Sequence, residues 1–338
     1  MRLPEFTYLE PEGLDDVLEL LSTHAGEAVI HAGGTDLIVR MKQRLIQPAY
    51  VISLKNLTDL NFIQEDNGFT RIGAMTPLVS IAENQRIRVL YPALKDAILK
   101  VGAPTIQHFR GTLGGNLCLE TRCLFYNQSA FWRSGRSPCH KDHGQICYAE
   151  ENSDRCRSAN LSDGACALMA LGAVIEVASP KGKRRLPVEE FFTGKGESPF
   201  ALWPDELVTE ICLSSPGEGE GGGFQKLQYR QAIDYALVSA AAWIAIEGNR
   251  VIDLRVVIGG AGASPLLLRE AAASLVGKSP QDGDAIEETA MKIRKHASAF
   301  MVDNLGATLE YRQKMSGVLA GRAIKQAIER AGGKSDDE

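Results

Sequence analysis

Ala28-Val29-Ile30-His31-Ala32-Gly33-Gly34-Thr35-Asp36 carries a short apolar run, Ala28 to Ile30, straight into a glycine pair, after which a helical pattern runs from Thr35 to Lys42. A buried strand that ends on two glycines and opens a helix brings unhindered backbone N–H groups to a helix N-terminus, where phosphate oxygens are favoured. A second pair, Thr112-Leu113-Gly114-Gly115-Asn116, follows Arg110-Gly111. Both turns suit a diphosphate, and each taken alone is equally an ordinary turn. Neither is the G-x-G-x-x-G dinucleotide fingerprint. The nearest approach to it, Gly259-Gly260-Ala261-Gly262-Ala263-Ser264-Pro265, has Ser264 at the third glycine position, and Ser264-Pro265 reads as the cap of a following helix.

Outward from the first turn, Gly13 to His24 places Leu14, Val17, Leu18 and Leu21 on one helical face. Tyr50–Leu54 and Phe69–Ile72 read as strands, Pro77–Glu83 as a short helix, and Tyr91–Val101 as a longer one with Leu94, Ile98 and Leu99 inward. Regular patterning returns with the apolar run Ala165–Ala178 and the strand Leu207–Leu213. Ser214 to Gly223 reads as a linker, because its glycines and charges offer nothing to pack, and a domain boundary is placed there. Beyond it lie strands at Phe224–Gln228, Ala236–Glu247 and Val251–Ile258, and helices at Pro265–Leu275, Ala285–Ala299 and Leu305–Arg330. A polar tail, Gly333–Glu338, is expected to fray. The alternation is that of an α+β or α/β protein.

Between about Glu120 and Ser162 no period of either kind survives. A loop this long in a compact domain is disordered, functional or pinned by something other than apolar packing. Cys123, Cys139, Cys147 and Cys156 lie inside it, at intervals of 16, 8 and 9 residues, which favours the pin. Clustered thiols in a reducing compartment read as metal ligands rather than disulfides. The C-x-x-C knuckles of structural zinc sites are absent, and an iron–sulfur cluster tolerates irregular spacing, so spacing alone leaves both metals open. Cys166 and Cys212 read as small core residues, and Cys118 stays undecided beside the second glycine pair. His140 and His143 read as solvated loop residues. Arg133, Arg136 and Lys141 read as a solvated face, or as a contact for an acidic electron carrier.

The chain has 338 residues, room for one large domain or two to three modest ones. With 44% apolar and 23% charged residues it is neither disordered nor a fibrous repeat. A formal net charge of −5 provides no overall field toward nucleic acid or anionic lipid. The longest apolar stretch, Ala236–Ile246, is too short to span a bilayer. Met1-Arg2-Leu3-Pro4-Glu5 lacks a signal-peptide core, so a cytoplasmic protein is expected.

Taken together, the two glycine turns, Ser162-Asp163 with Ala167-Leu168, the K-x-x-x-R-x-x-x-D spacing of Lys226, Arg230 and Asp234, and the closing stretch from Tyr311-Arg312 to Arg322-Ala323 resemble the FAD-binding subunit of the molybdenum hydroxylases, the xanthine dehydrogenase family. The cysteine insertion resembles the β subunit of 4-hydroxybenzoyl-CoA reductase, whose flavin subunit holds an additional [4Fe-4S] cluster. The resemblance implies an α+β fold: a p-cresol-methylhydroxylase-type FAD-binding domain over 1–216, of two α+β subdomains (about 1–56 and 57–216) with the iron–sulfur loop at about 120–160. A smaller α+β C-terminal domain over 224–332 follows. It further implies that Val29, Ile30, His31, Ala32, Gly33, Gly34, Thr35, Asp36, Gly102, Thr112, Leu113, Gly114, Gly115, Asn116, Asp163 and Lys226 bind FAD, with Gly33, Gly34, Gly114 and Gly115 donating backbone N–H to the diphosphate and Lys226 placing positive charge near the isoalloxazine. Cys123, Cys139, Cys147 and Cys156 would hold the cluster. Cys166 stands where the family commonly has proline.

The implied partners are a large molybdopterin subunit that carries the substrate pocket, a small subunit with two [2Fe-2S] clusters, and a ferredoxin-type donor, in a dimer of heterotrimers. Three alternatives stand beside this reading. The subunit belongs to an oxidative hydroxylase of another aromatic or heteroaromatic substrate; the loop is a zinc staple on a structural subunit; or Lys226 and Asp163 are surface groups capping strand ends.

Overall fold

In the computed structural model, residues 2–231 and 233–332 are described, so the tail Gly333–Glu338 lies outside the described residues. β1 (Thr7–Leu9), β2 (Ala28–His31) and β3 (Tyr50–Ser53) form a parallel sheet of order β1-β3-β2, with Tyr50 paired to both Thr7 and Ala28. Parallel neighbours need crossovers, and the helices Leu14–Thr23 and Leu37–Lys42 supply them. The first buries Val17, Leu18 and Leu21 with Ile52 and Leu54.

β4 (Ile63–Asp66), β5 (Phe69–Gly73), β6 (Val174–Ser179), β7 (Gly182–Pro187) and β8 (Leu207–Ser214) make an antiparallel sheet of order β4-β5-β8-β6-β7. The helices Leu78–Glu83, Pro92–Leu99, Leu113–Leu117 and Asp163–Ala170 share the largest core with it. Leu94 and Ile98 point into that core as expected, but Leu99 is 49% exposed. It is the last residue of its helix, one step beyond the inward face, so apolar character alone misplaced it.

β9 (Glu220–Leu227), β10 (Val238–Glu247), β11 (Arg250–Gly259) and β12 (Leu266–Leu267) form the third sheet, antiparallel in the order β12-β11-β10-β9. Val238, Ala240, Ala242 and Ile244 face the helices Gly283–Ser298 and Leu309–Ala331, while Phe224, Ala241 and Val257 belong to the core of the first domain. A strand buried on both faces reads as an unbroken apolar run, and Ala236–Ile246 is one.

Two expectations change here. Glu220–Gly223 is strand, not linker: a Cβ on Gly221 or Gly223 would run into the backbone of Ala327 or Ala323, and one on Gly222 would sit 3.0 Å from Ala93 Cβ. The glycines allow helices to lie directly on both faces of β9, so lack of side chain is the packing device. Ser264-Pro265 caps no helix either, since Leu266–Leu267 pairs with β11 and the helix starts only at Arg269. Among the described residues no helix is long and apolar enough to cross a membrane.

Arg312, in the last helix, is fully buried and, among the described residues, forms no salt bridge. It donates to Gly260 O at 2.7 Å, Val302 O at 3.0 Å and Leu237 O at 3.3 Å, so backbone carbonyls from three segments share its charge. Arg312→Met keeps the volume and orphans those acceptors, and is expected to cost about 2–4 kcal/mol in urea unfolding; a loss below half a kcal/mol would show that water replaces the guanidinium.

Candidate functional site

The two glycine turns meet. A Cβ on Gly33 would land in the Arg110 carbonyl, and one on Gly114 would sit 2.8 Å from Ala74 Cβ. Gly34 takes φ +71°, a conformation that side chains disfavour. Beside this contact opens a cleft of about 630 Å³, lined from β2 and the first turn, the second turn, and the segments around Gly102, Asp163, Val208 and Tyr235. Of the sequence-predicted residues, Val29, Ile30, Ala32, Gly33, Gly34, Thr35, Asp36, Gly102, Thr112, Gly114, Gly115, Asn116 and Asp163 line it. His31, Leu113 and Lys226 do not. The His31 ring lies edge-on to the Tyr8 ring and beside Gly34, where a Cβ would come within 2.5 Å of its Nε2, and burial lowers its pKa. Leu113 is core.

The turns differ in what they offer. Among the described residues the N–H groups of Gly33, Gly34, Thr35 and Asp36 have no acceptor. In the second turn, Gly114 N donates to Ala74 O at 2.9 Å and Gly115 N to Thr112 Oγ1 at 3.2 Å. In this structure the first turn holds the free donors, and the second closes on itself as a capped helical turn. Asn116 Oδ1 accepts from Ser162 Oγ and Gly164 N, leaving its Nδ2 toward the cleft.

Lys226 and Asp163 are not surface groups. The Lys226 side chain is 1% exposed and donates to Asp163 Oδ2 at 2.7 Å, Lys100 O at 2.7 Å and Asp234 O at 3.0 Å. All three ammonium protons are engaged, so Lys226 fixes Asp163 rather than offering a free charge to the cleft. Asp163 Oδ1 remains buried without a partner, and burial raises the Asp163 pKa while Lys226 opposes the rise. Four unpaired N–H groups at one turn and an orphaned carboxylate oxygen, in one cleft, fit a ligand with an anionic linker and an N–H-bearing ring system, as FAD has.

Sequence reading missed the charges behind the cleft. Arg122 donates to Asp36 and, at 3.1 Å, to the Tyr235 hydroxyl; Arg40 meets Glu120 at 3.2 Å. Glu120 in turn accepts from Lys141 at 2.7 Å, and Lys141 also reaches Thr121 Oγ1 and Gly196 O. Thr121 Oγ1 lies 2.6 Å from Ser158 Oγ, to which Cys156 Sγ donates at 3.1 Å. A continuous buried polar chain thus runs from the cleft to a cysteine. The Lys141 side chain is 5% exposed and Arg133 is paired with Asp142, while Arg136 is stacked between Trp132 and Tyr148, each ring centroid 4.1 Å away. The solvated-face expectation fails because this loop, with little apolar core, is held by its own cations.

Inside that loop Cys123 packs with Leu45, Tyr126 and Cys139, and Cys139 bridges to Ile146, next to Cys147. Burial pushes the Cys123 thiol up to about 11, with Cys156 and Cys147 adding to the effect; burial likewise raises Cys156, to which Cys139 contributes. Cys123 and Cys139 pack together, and among the described residues none of the four thiols forms a disulfide. Yet among the described residues no group of three or more His, Cys, Asp or Glu is arranged to hold a metal ion. By its chemistry a set of four thiols could serve either zinc or an iron–sulfur cluster. Cys166 and Cys212 are buried core residues as expected, and Cys118 lines the cleft with its thiol pushed up to about 12 by burial.

Residues 4–215 match the FAD binding domain in molybdopterin dehydrogenase and residues 223–327 the CO dehydrogenase flavoprotein C-terminal domain. The chain belongs to the family of FAD-binding subunits of the molybdenum hydroxylases. It is 28% identical over 326 residues to the carbon monoxide dehydrogenase medium chain of Afipia carboxidovorans, covering 96% of this chain and 98% of that one. With the aldehyde oxidoreductase FAD-binding subunit of Escherichia coli it shares 32% over 259 residues, 72% of this chain and 78% of the other. In structure it resembles reconstituted CO dehydrogenase from Oligotropha carboxidovorans, with TM-score 0.80, 26% identity, and 98% and 100% of the two chains covered.

Two outcomes test the site. Gly33→Ala is expected to force the turns apart and abolish FAD retention. Gly115→Ala meets only Thr112 Oγ1 at 3.0 Å and should fold with weakened FAD binding; flavin absorbance per protein reads both, and equal retention in the two refutes the cradle. Glu120 is pressed upward by burial, but Lys141 and Arg40 hold it below the ordinary carboxylate range. A folded pKa below the unfolded one means that its contribution is complete above the ordinary value and is lost as pH falls through the lowered one. Glu120→Gln should therefore cost about 2–4 kcal/mol at neutral pH and flatten the acid limb of stability against pH. An unchanged acid limb would assign that limb to other carboxylates.

Proposed function

We propose that this chain is the FAD- and [4Fe-4S]-carrying electron-transfer subunit of a cytoplasmic molybdenum enzyme that reduces 4-hydroxybenzoyl-CoA, with Cys123, Cys139, Cys147 and Cys156 as the cluster ligands. The observation that carries this reading is the four-cysteine insertion, in which Cys123 packs with Cys139 and whose polar frame runs from Cys156 into the nucleotide cleft. When bound, FAD and the cluster would supply one- and two-electron exchange. The chain's own residues bind and orient: Gly33, Gly34, Thr35 and Asp36 offer N–H groups, Asn116 an amide, and Asp163, held by Lys226, an acceptor. Burial around Cys123 and Cys156 keeps water from the sulfurs, and a metal must displace their protons to bind.

The division is a FAD-binding domain over 1–216, with subdomains at about 1–56 and 57–216, and a C-terminal domain over 224–332. The partners are a large molybdopterin subunit and a small subunit with two [2Fe-2S] clusters, in a dimer of heterotrimers. On the large subunit, 4-hydroxybenzoyl-CoA takes two electrons and two protons, the aryl C–O bond breaks, and benzoyl-CoA and water leave. The electrons come from a reduced ferredoxin-type carrier. A second reading, the FAD subunit of an oxidative hydroxylase, is favoured by relatives named for carbon monoxide, nicotine and caffeine.

The complex purified without oxygen is expected to contain FAD and about four irons per chain beyond those of its [2Fe-2S] subunit, and to release benzoyl-CoA when given reduced ferredoxin and the thioester. Cys139→Ser should remove the extra iron and its paramagnetic signal while FAD stays. Zinc in place of iron defeats the cluster assignment; iron present without thioester reduction defeats the substrate alone.

A further inference from the structure

Arg122 and Ala159 close the neck of the cysteine segment. Arg122 N donates to Ala159 O at 2.8 Å and Ala159 N to Arg122 O at 2.7 Å, and Cys123, Cys139, Cys147 and Cys156 all lie between them. From this neck the Arg122 side chain, 11% exposed, runs to two residues that line the nucleotide cleft. Its Nη2 donates to Asp36 Oδ1 and, at 3.1 Å, to the Tyr235 hydroxyl, while its Nη1 donates to Glu120 O at 3.1 Å. The guanidinium carbon also lies 5.2 Å from the centroid of the Tyr235 ring. Asp36 is 86 residues from Arg122 in the sequence and Tyr235 is 113, so one cation joins both walls of the cleft to the root of the loop.

Asp36 acts on the cleft in two opposed ways. Its N–H belongs to the free donor set of the first turn, and its carboxylate opposes the anion that those donors invite. The carboxylate is 21% exposed, and charges partly withdrawn from water are weakly screened. Arg40 lies 3.9 Å from it but spends its charge on Glu120 at 3.2 Å, which leaves Arg122 as the closer counter-charge. A diphosphate is therefore favoured when Arg122 is seated on Asp36, and the closed neck aims Arg122 there. The bound diphosphate deepens in turn the negative potential that holds the guanidinium. Such a coupling is reciprocal by thermodynamic necessity.

We propose that Arg122 is a positioning residue through which FAD in the cleft and the closed neck of the cysteine loop stabilise one another. The proposal rests on FAD filling the cleft and is independent of the metal that the cysteines hold. The test uses the intact complex, stripped of flavin and titrated with FAD. Flavin fluorescence gives the Kd, and hydrogen exchange followed by mass spectrometry gives the protection of peptides that contain the Arg122 and Ala159 amides. In the wild type, FAD is expected to slow exchange at the neck about fivefold. Arg122→Gln should weaken FAD about tenfold and remove that FAD-dependent slowing.

The double variant Asp36→Asn/Arg122→Gln separates positioning from scaffolding. With the opposing carboxylate gone, FAD should return to within about twofold of the wild-type Kd, while its effect on the neck stays absent. No recovery in the double variant marks a merely structural arginine and overturns the proposal. So does a wild-type chain that binds FAD with no change in exchange at the neck; a wild-type chain that binds no FAD overturns the flavin reading as well. Should Arg122→Gln fail to fold, Asp36→Asn alone decides: loss of at least about half of the FAD-dependent protection sustains the coupling, and full protection ends it.

Discussion

Backbone laid directly on backbone sets the geometry of this molecule. Gly33 approaches the Arg110–Gly111 peptide so closely that no Cβ can be admitted, and the parallel three-stranded unit is thereby fixed against the antiparallel five-stranded one. The cleft is the angle left beside that contact. Because Gly34 turns the chain through φ +71°, the N–H groups from Gly33 to Asp36 emerge with nothing to donate to. Backbone donors seldom stay unsatisfied in folded proteins. Here they form a set reserved for water or for an anionic ligand, and the second turn, with its donors internally engaged, serves as the fixed wall against which the first is held.

Charge management follows from that reservation. A carboxylate such as Asp36 beside an anion cradle repels the ligand unless it is matched, and Arg122 and Arg40 match it. The sequence of charges then continues inward through Glu120 to Lys141. Buried ion pairs return little net stability compared with apolar packing, because desolvation consumes most of the attraction. Their effect here is placement: the Arg122–Asp36 and Arg40–Glu120 links join segments far apart in the chain, and the series ends on the loop that carries the four cysteines. Asp163 and Lys226 repeat the arrangement on the other wall, where one buried cation, held by the carbonyls of Lys100 and Asp234, orients one carboxylate.

The glycine turns were legible because a steric constraint dictates the residue type, and the strand–helix alternation because burial repeats with the period of the element. What escaped was encoded by partners rather than by period. Gly221–Gly223 has no side chains to show a pattern, since the helix Leu309–Ala331 occupies the space where they would be. Lys141 and Arg133 looked solvated because Glu120, Asp142 and the Tyr126 ring come to them only through the fold. For Lys226, the spacing from Asp234 is visible in the sequence, and the bond to Asp163 is not.

The C-terminal domain explains how a loop with little core of its own keeps one shape. Asn304 O accepts from Leu124 N at 2.9 Å, and Asn304 Nδ2 donates to Arg157 O, so one residue fastens both ends of the cysteine segment. Asn304 sits in the stretch that Arg312 grips through Val302 O, and Arg312 also holds Gly260, whose N–H donates to Asn160 O. Lys141 fastens the middle from the cleft side. A segment tied at both ends to one domain and at its centre to another cannot drift relative to the nucleotide cleft. The cysteine loop therefore keeps a fixed place beside the nucleotide cleft, and the buried charge of Arg312 is the point on which the far side of the restraint bears.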